Sequence, residues 1–168
     1  MNATQLHTYN LTNLRTYLLA VLFIIGNILF PQLAHLIPQG GFIFLPIYFF
    51  TLIAAYKYGV HVGVLTAVLS PIVNNLLFAM PPSPMLLPIL IKSGILAIVA
   101  SLFAKYYKKV ALLPLLLSII AYQFIGTLIE WAIVKDFYTA ISDIRLGIPG
   151  MVIQLFGSYL ILKALSRN

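Results

Sequence analysis

The chain has no cysteine and very little charge. Among its 168 residues, 10 are Lys or Arg and only 3 are Asp or Glu. The absence of cysteine excludes disulfides, thiolate metal sites and cysteine nucleophiles. Charged residues make up 8% of the chain and hydrophobic residues 62%, whereas a soluble domain carries about 25% charged residues. The composition therefore predicts an integral membrane protein.

Catalytic and metal-binding motifs are missing as well. The sequence contains no HExxH, GxSxG, P-loop or paired-carboxylate pattern. The histidines, His7, His35 and His61, are too scattered in the sequence to indicate a metal site. The net charge of +7 does not indicate nucleic-acid binding, because the basic residues fall between apolar runs rather than on one soluble face. We predict no enzyme activity, no metal or other cofactor, and no nucleic-acid partner.

What the chain has in quantity is long apolar runs. A hydrocarbon core of ~30 Å requires about 20 apolar residues per helix. The runs predict an all-α bundle of six transmembrane helices that forms one domain over residues 1–168, with a polar segment at residues 1–15. Proline and polar residues at positions 70–75 predict a kink or unwinding late in the third run. The predicted spans are residues 16–37, 42–58, 60–79, 86–104, 110–134 and 148–165.

The distribution of basic residues predicts the orientation in the membrane. Cytoplasmic connections carry an excess of Lys and Arg. If the N-terminus is inside, the inner side collects seven basic residues and no acidic one, and the outer connections hold two basic residues. We therefore predict that both termini are cytoplasmic. The inner residues are Arg15, Lys57, Lys105, Lys108, Lys109, Lys163 and Arg167, and the outer ones are Lys135 and Arg145, beside Asp136 and Asp143.

Two opposite charges, Lys92 and Glu130, lie inside consecutive apolar runs. A charge at the centre of a spanning helix costs about 2.5–3.5 kcal/mol or more, so it indicates a function or a partner. If the two runs form an antiparallel hairpin around the basic turn at residues 105–109, both charges fall in the outer half of the membrane. Lys92 then binds an anionic group of a ligand, pairs with Glu130, or extends towards the lipid headgroups.

Gln123, Thr127 and Glu130 follow the spacing i, i+4, i+7 and share one face of the fifth helix. This face is either a polar wall that contacts a ligand or a hydrogen-bonded seam between helices, which contributes about 0.6 kcal/mol per contact in membranes. Beside it, Trp131 is either a stacking surface or an interfacial anchor. We include these four residues in the predicted substrate-binding site.

Three amides complete the predicted site. Asn74 and Asn75 either present their side chains to a ligand or bind carbonyls freed by Pro71. Gln154 either faces the same pocket or packs between helices.

The longest outer connection, residues 135–147, contains apolar residues at helical spacing. It predicts a short interfacial helix that acts as a lid or rests on lipid. Its two acids, Asp136 and Asp143, are predicted to be solvated.

Several segments carry a loose family resemblance. They are GGFIFLP at residues 40–46, KYGVHVGV at residues 57–64, and a proline-rich loop before a fourth run that begins LLP at residues 86–88. Together with six spans in 168 residues, they resemble the substrate-binding S components of energy-coupling factor (ECF) vitamin transporters.

The resemblance implies a site near the outer face, built by helices four to six and the outer loops, for a small water-soluble vitamin or related micronutrient. It implies a membrane coupling (T) subunit and two cytoplasmic ATPases as partners, in the cytoplasmic membrane of a bacterium or archaeon. The alternative is a non-transporting scaffold that resembles the rod-shape membrane protein MreD, in which a pair between Lys92 and Glu130 is purely structural.

Overall fold

The computed structural model describes residues 9–166, which form a bundle of helices. His7 and Arg167, named in the predictions above, lie outside this range. The elements are α1 (Leu14–Ala34), α2 (Gly40–Phe44), a 3-10 turn (Pro46–Tyr48), α3 (Phe49–Tyr58), α4 (Val60–Phe78), α5 (Ser83–Tyr107), α6 (Leu112–Val134), α7 (Phe137–Ala140), α8 (Ser142–Leu146) and α9 (Ile148–Leu165). Short helical elements of three to five residues lie between α1 and α3 and between α6 and α9.

Six helical segments within the described residues are long and apolar enough to cross a membrane. The prediction of six long apolar helices is therefore confirmed, with boundaries that move by a few residues. The fourth span, for example, begins at Ser83 rather than near residue 86. Pro84 is tolerated there because the first turn of a helix has no bond for its missing N–H to make.

The second span, Gly40–Tyr58, is interrupted near its start. Leu45 adopts a left-handed conformation with φ of 46°, which costs an L-residue about 1–2 kcal/mol. Two contacts from α9 hold this break: Gln154 Nε2 donates to Leu45 O at 3.2 Å, and Gly150 packs directly on Phe44. A β-carbon at Gly150 would lie 2.4 Å from the carbonyl of Phe44, so this close approach requires glycine.

The third span, α4, runs without interruption through Pro71 to Phe78. The predicted unwinding near residues 74–75 is therefore wrong. The side-chain amide of Asn74 donates to Ser70 O within α4 at 3.1 Å and to Asn27 O of α1 at 2.8 Å. These bonds fasten the end of α4 to α1 and keep it helical beyond the proline.

Buried polar side chains join α1, α3 and α4. We call Asn27, Thr51, Ser70 and Asn74 the amide cluster. Asn27 Nδ2 donates to Thr51 Oγ1 at 3.0 Å and to Ser70 Oγ at 3.2 Å, while its Oδ1 accepts the backbone N–H of Phe50 at 3.2 Å. Buried polar groups are costly unless they are bonded, so the cluster fixes how these three helices pack.

The helices alternate in direction, which gives the bundle two different ends. At one end, Tyr56 Oη donates to Lys109 O at 2.7 Å and His61 Nδ1 donates to Tyr9 O at 2.9 Å. The start of α1, the α3–α4 junction and the α5–α6 turn therefore lie together, and we call this the basic end because it includes residues 105–109. The opposite end, which we call the distal end, contains α2, the 3-10 turn, the α4–α5 connection, α7 and α8.

Candidate ligand-binding site

Three charged residues meet at the distal end. We call Lys92, Glu130 and Asp143 the charged cluster. Lys92 Nζ lies 2.5 Å from Glu130 Oε2 and donates a hydrogen bond to Asp143 Oδ2 at 2.8 Å. The lysine side chain is 1% exposed, and the carboxylates are 12% and 14% exposed. Of the alternatives given for Lys92, the structure shows the ion pair with Glu130. Contact of Lys92 or Glu130 with a ligand stays a prediction.

The charged cluster is assembled from three helices, with Lys92 on α5, Glu130 on α6 and Asp143 on α8. Space for the lysine stem exists only because Gly126 has no side chain, since a β-carbon there would lie 2.5 Å from Lys92 Cγ. Small residues let membrane helices approach closely. The ammonium therefore reaches the carboxylate one turn further along α6.

The two aspartates of the connection between α6 and α9 have different environments. Asp136 is exposed and caps α7. Asp136 accepts hydrogen bonds from the Thr139 hydroxyl and from the backbone N–H groups of Thr139 and Tyr138. These bonds, with that of the hydroxyl as the largest contribution, hold the pKa of this carboxyl below its ordinary value. Asp143 is instead largely buried against Lys92, so the prediction that it is solvated is wrong. The predicted single helix is in fact two, and they fold the connection back onto the bundle.

The charged cluster contains one ammonium and two carboxylates, a formal excess of one negative charge. Arg145, two residues from Asp143, forms no ion pair with an acid of the described chain. The interaction between two unit charges 4 Å apart rises from about 1 kcal/mol in water to about 4 kcal/mol at an effective dielectric constant of 20. The cluster therefore favours the approach of a further positive charge, carried by a proton or by a cationic group.

A cavity of about 180 Å³ lies beside the charged cluster. Its wall is formed by the end of α1, by α2, the 3-10 turn, the α4–α5 connection and the start of α5, and by Asp143 of α8. An apolar cavity of ~150 Å³ holds benzene, so a small organic molecule fits here. An outer depression lined by α7 and α8 shares Gln39, Phe42 and Met85 with the cavity, and these side chains stand between the two.

Two residues that line the cavity each have a buried polar atom with no hydrogen-bond partner within residues 9–166. The atoms are Tyr48 Oη and Asn74 Oδ1, and both residues are 1% exposed. An unpaired buried polar group costs about 1–3 kcal/mol. His35, also in the wall, donates from Nδ1 to Pro31 O at 2.6 Å. The cavity thus combines apolar side chains with a few unsatisfied polar groups.

A second set of unpaired polar atoms lies on α5 and α6. Ser93 Oγ, Thr127 Oγ1 and both amide atoms of Gln123 lack a partner in the described part of the chain, although the residues are 0%, 7% and 4% exposed. Gln123 and Thr127 of the predicted face of α6 are therefore buried, but among the described residues they do not form a hydrogen-bonded seam with another helix. These residues do not line the cavity or the depression, and their contact with a ligand stays a prediction.

Asn75, Gln154 and Trp131, the remaining predicted site residues, do not line the cavity. Asn75 donates to a carbonyl of the α4–α5 connection at 2.7 Å. Gln154 accepts a hydrogen bond from Tyr122 Oη at 3.0 Å and donates to a carbonyl of the helix break at 3.2 Å, so both ends of its amide are paired within the protein. Trp131 is 46% exposed, and its ring centre lies 5.4 Å from that of Phe137.

No protein-family model, curated protein or solved structure matches this chain. The family resemblance inferred from the sequence therefore stays a prediction.

Three residues of the site were not predicted as binding residues from the sequence. Tyr48 is one of many aromatic residues in an apolar run, and only the glycines and proline around the helix break signal that this run is unusual. His35 is one of three histidines that are too scattered in the sequence to indicate a metal site, and no motif around it indicates a cavity. Asp143 is predicted to be solvated because the path of a long connection is not encoded in local periodicity.

Proposed function

We propose that this chain is a membrane-embedded substrate-binding protein that captures a small molecule in the distal cavity. The observation that carries the proposal is the unpaired state of Tyr48 Oη and Asn74 Oδ1, two buried atoms that belong to residues lining the same cavity. Buried polar groups in native proteins are nearly always hydrogen-bonded. A bound molecule that supplies the missing bonds explains both atoms. Small-molecule sites commonly consist of apolar walls with a few convergent polar groups.

We further propose that the protein acts as an S component of an ECF-type transporter. The ligand is then a water-soluble vitamin or related micronutrient, and a coupling subunit with two ATPases supplies the energy. The proposal is supported by the position of the cavity at the end of the bundle opposite residues 105–109. Because basic connections remain in the cytoplasm, the cavity faces the outside of a bacterial or archaeal cytoplasmic membrane, and both termini are cytoplasmic.

Native mass spectrometry of the protein purified in mild detergent tests the ligand-binding proposal. We expect the wild-type protein to retain one small molecule per chain. Met85→Trp places an indole in the cavity and is expected to abolish retention. Leu87→Trp is the matched control, because Leu87 lies on the same helix, is 53% exposed and does not line the cavity.

Two results contradict the proposal. One is a wild-type protein that carries no small molecule, and the other is equal retention by Met85→Trp and Leu87→Trp. Either result favours the scaffold alternative, which needs no ligand.

A further inference from the structure

We infer that the molecule bound in the cavity is a small organic cation, such as a protonated amine on an apolar body. This inference rests on the proposed ligand-binding function and specifies the chemistry of the ligand. It starts from Asp143, which is the residue that belongs both to the charged cluster and to the cavity wall.

Lys92 does not compensate both carboxylates. Its single charge is shared between Glu130 at 2.5 Å and Asp143 at 2.8 Å, so one negative charge is left over when both carboxylates are ionised. The carboxylates are only 12% and 14% exposed, and water therefore screens this charge poorly. A cationic group of a ligand beside Asp143 cancels the excess.

Other basic residues of the distal end do not compensate the charge of Asp143. Arg145 and Lys135 form no ion pair with an acid among residues 9–166, and Arg145 lines the outer depression rather than the cavity. His35 is in the cavity wall, but it donates its Nδ1 proton to Pro31 O and forms no ion pair with an acid among residues 9–166.

The unpaired oxygen of Asn74 also favours a ligand that donates hydrogen bonds. The nitrogen of the Asn74 side chain is bonded to Asn27 O and Ser70 O, so its oxygen cannot exchange places with the nitrogen without the loss of two bonds. An ammonium group has hydrogen-bond donors and no acceptor, which matches Asn74 Oδ1 and the Asp143 carboxylate.

An anionic ligand is disfavoured by the same geometry. Lys92, the residue expected from the sequence to bind an anionic group, is 1% exposed and does not line the cavity. Its ammonium is already held by two carboxylates. An anion in the cavity would instead approach the carboxylate of Asp143.

Three molecules of similar shape and different charge test the inference. Benzylamine is a cation at neutral pH, benzyl alcohol is neutral and benzoate is an anion. A ligand that binds the folded state raises the thermal unfolding midpoint. For the purified wild-type protein, we expect benzylamine to act at an approximately tenfold lower concentration than benzyl alcohol, which corresponds to about 1.4 kcal/mol. Benzoate is expected to have no effect.

Two variants locate the source of this preference. Asp143→Asn keeps an acceptor for Lys92 but makes the charged cluster neutral, and we expect it to remove the preference for benzylamine. Asp136→Asn changes the exposed acid of the same connection and is expected to retain the preference. Met85→Trp is expected to eliminate the effect of both benzylamine and benzyl alcohol.

The inference is overturned if benzyl alcohol or benzoate acts as strongly as benzylamine, if Asp143→Asn keeps the preference, or if no probe acts on the wild-type protein. The charge of the molecule that the wild-type protein retains in native mass spectrometry tests the inference independently. This measurement does not need the Asp143→Asn variant, so it applies even if that variant does not fold. A retained cation supports the inference. A retained neutral or anionic molecule overturns it and leaves the proposed ligand-binding function standing, whereas an absent molecule contradicts that function.

Discussion

The amide cluster and the charged cluster both place polar groups inside an apolar bundle, but they are bonded in different ways. The two side-chain atoms of Asn27 are engaged with three groups of α3 and α4. The charged cluster instead retains an unmatched negative charge when its two carboxylates are ionised. Unpaired polar atoms also belong to Ser93, which follows Lys92 in the sequence, and to Gln123 and Thr127, which share a face of α6 with Glu130. The amide cluster thus satisfies Asn27 within the chain, whereas the atoms of Ser93, Gln123 and Thr127 have no partner among residues 9–166.

Asn74 belongs to both kinds of environment. Its nitrogen donates to α1 and within α4, whereas its oxygen is unpaired, and the residue lines the cavity. One side chain therefore connects the packing of the bundle to the proposed site.

The largest effect is expected from Lys92→Met. Removal of one partner from a buried ion pair costs about 3–5 kcal/mol because it leaves a buried charge without compensation. We expect a loss of this size in the free energy of unfolding, measured by reversible denaturation in mixed micelles. Adding Glu130→Gln and Asp143→Asn should restore most of the stability. A Lys92→Met variant as stable as the wild-type protein would show that the carboxylates do not depend on the lysine.

Asn27→Leu is expected to have an intermediate effect. It removes three hydrogen bonds, and at about 0.6 kcal/mol per bond in a membrane protein the loss is about 2 kcal/mol. The same denaturation experiment measures it, with Leu29→Ala as the control because Leu29 is 59% exposed on the same helix. Equal stability of the two variants would mean that the amide cluster does not hold α1, α3 and α4 together.

The smallest effect is expected from the double variant Gln123→Met with Thr127→Val. Replacing unpaired buried polar groups by apolar groups of similar shape is nearly neutral or stabilising, so unfolding free energy should fall by less than about 1 kcal/mol or rise. A loss larger than that of Asn27→Leu would indicate that these atoms are bonded to water or ligand in the membrane. Gln123 and Thr127 would then contribute to stability in the same way as the amide cluster.

The depth of Lys92 and Glu130 was predictable because helical rise is fixed. Lys92 lies 15 residues before the end of α5 and Glu130 lies 18 residues after the start of α6, which places them about 22 and 27 Å from the basic turn at 1.5 Å per residue. An antiparallel hairpin brings two such positions together. The six apolar helices were predictable for a similar reason, since hydropathy and length decide them locally.

The third charge and the cavity depend on long-range contacts. Asp143 meets Lys92 across 51 residues of sequence, at the end of a connection whose path is set by two short helices. Tyr48 reaches the cavity wall after a left-handed residue, Leu45, which is held in place by Gln154 and the close approach of α9. No local pattern in the sequence specifies these contacts.

The helices α7 and α8 have four and five residues, too few to persist on their own. Their position depends on their anchors: Asp136 caps the first, and Asp143 pins the second to α5. If a ligand in the proposed site drew Asp143 away from Lys92, it would also release α8 from α5. Binding at this carboxylate would then be coupled to movement of the connection between α6 and α9.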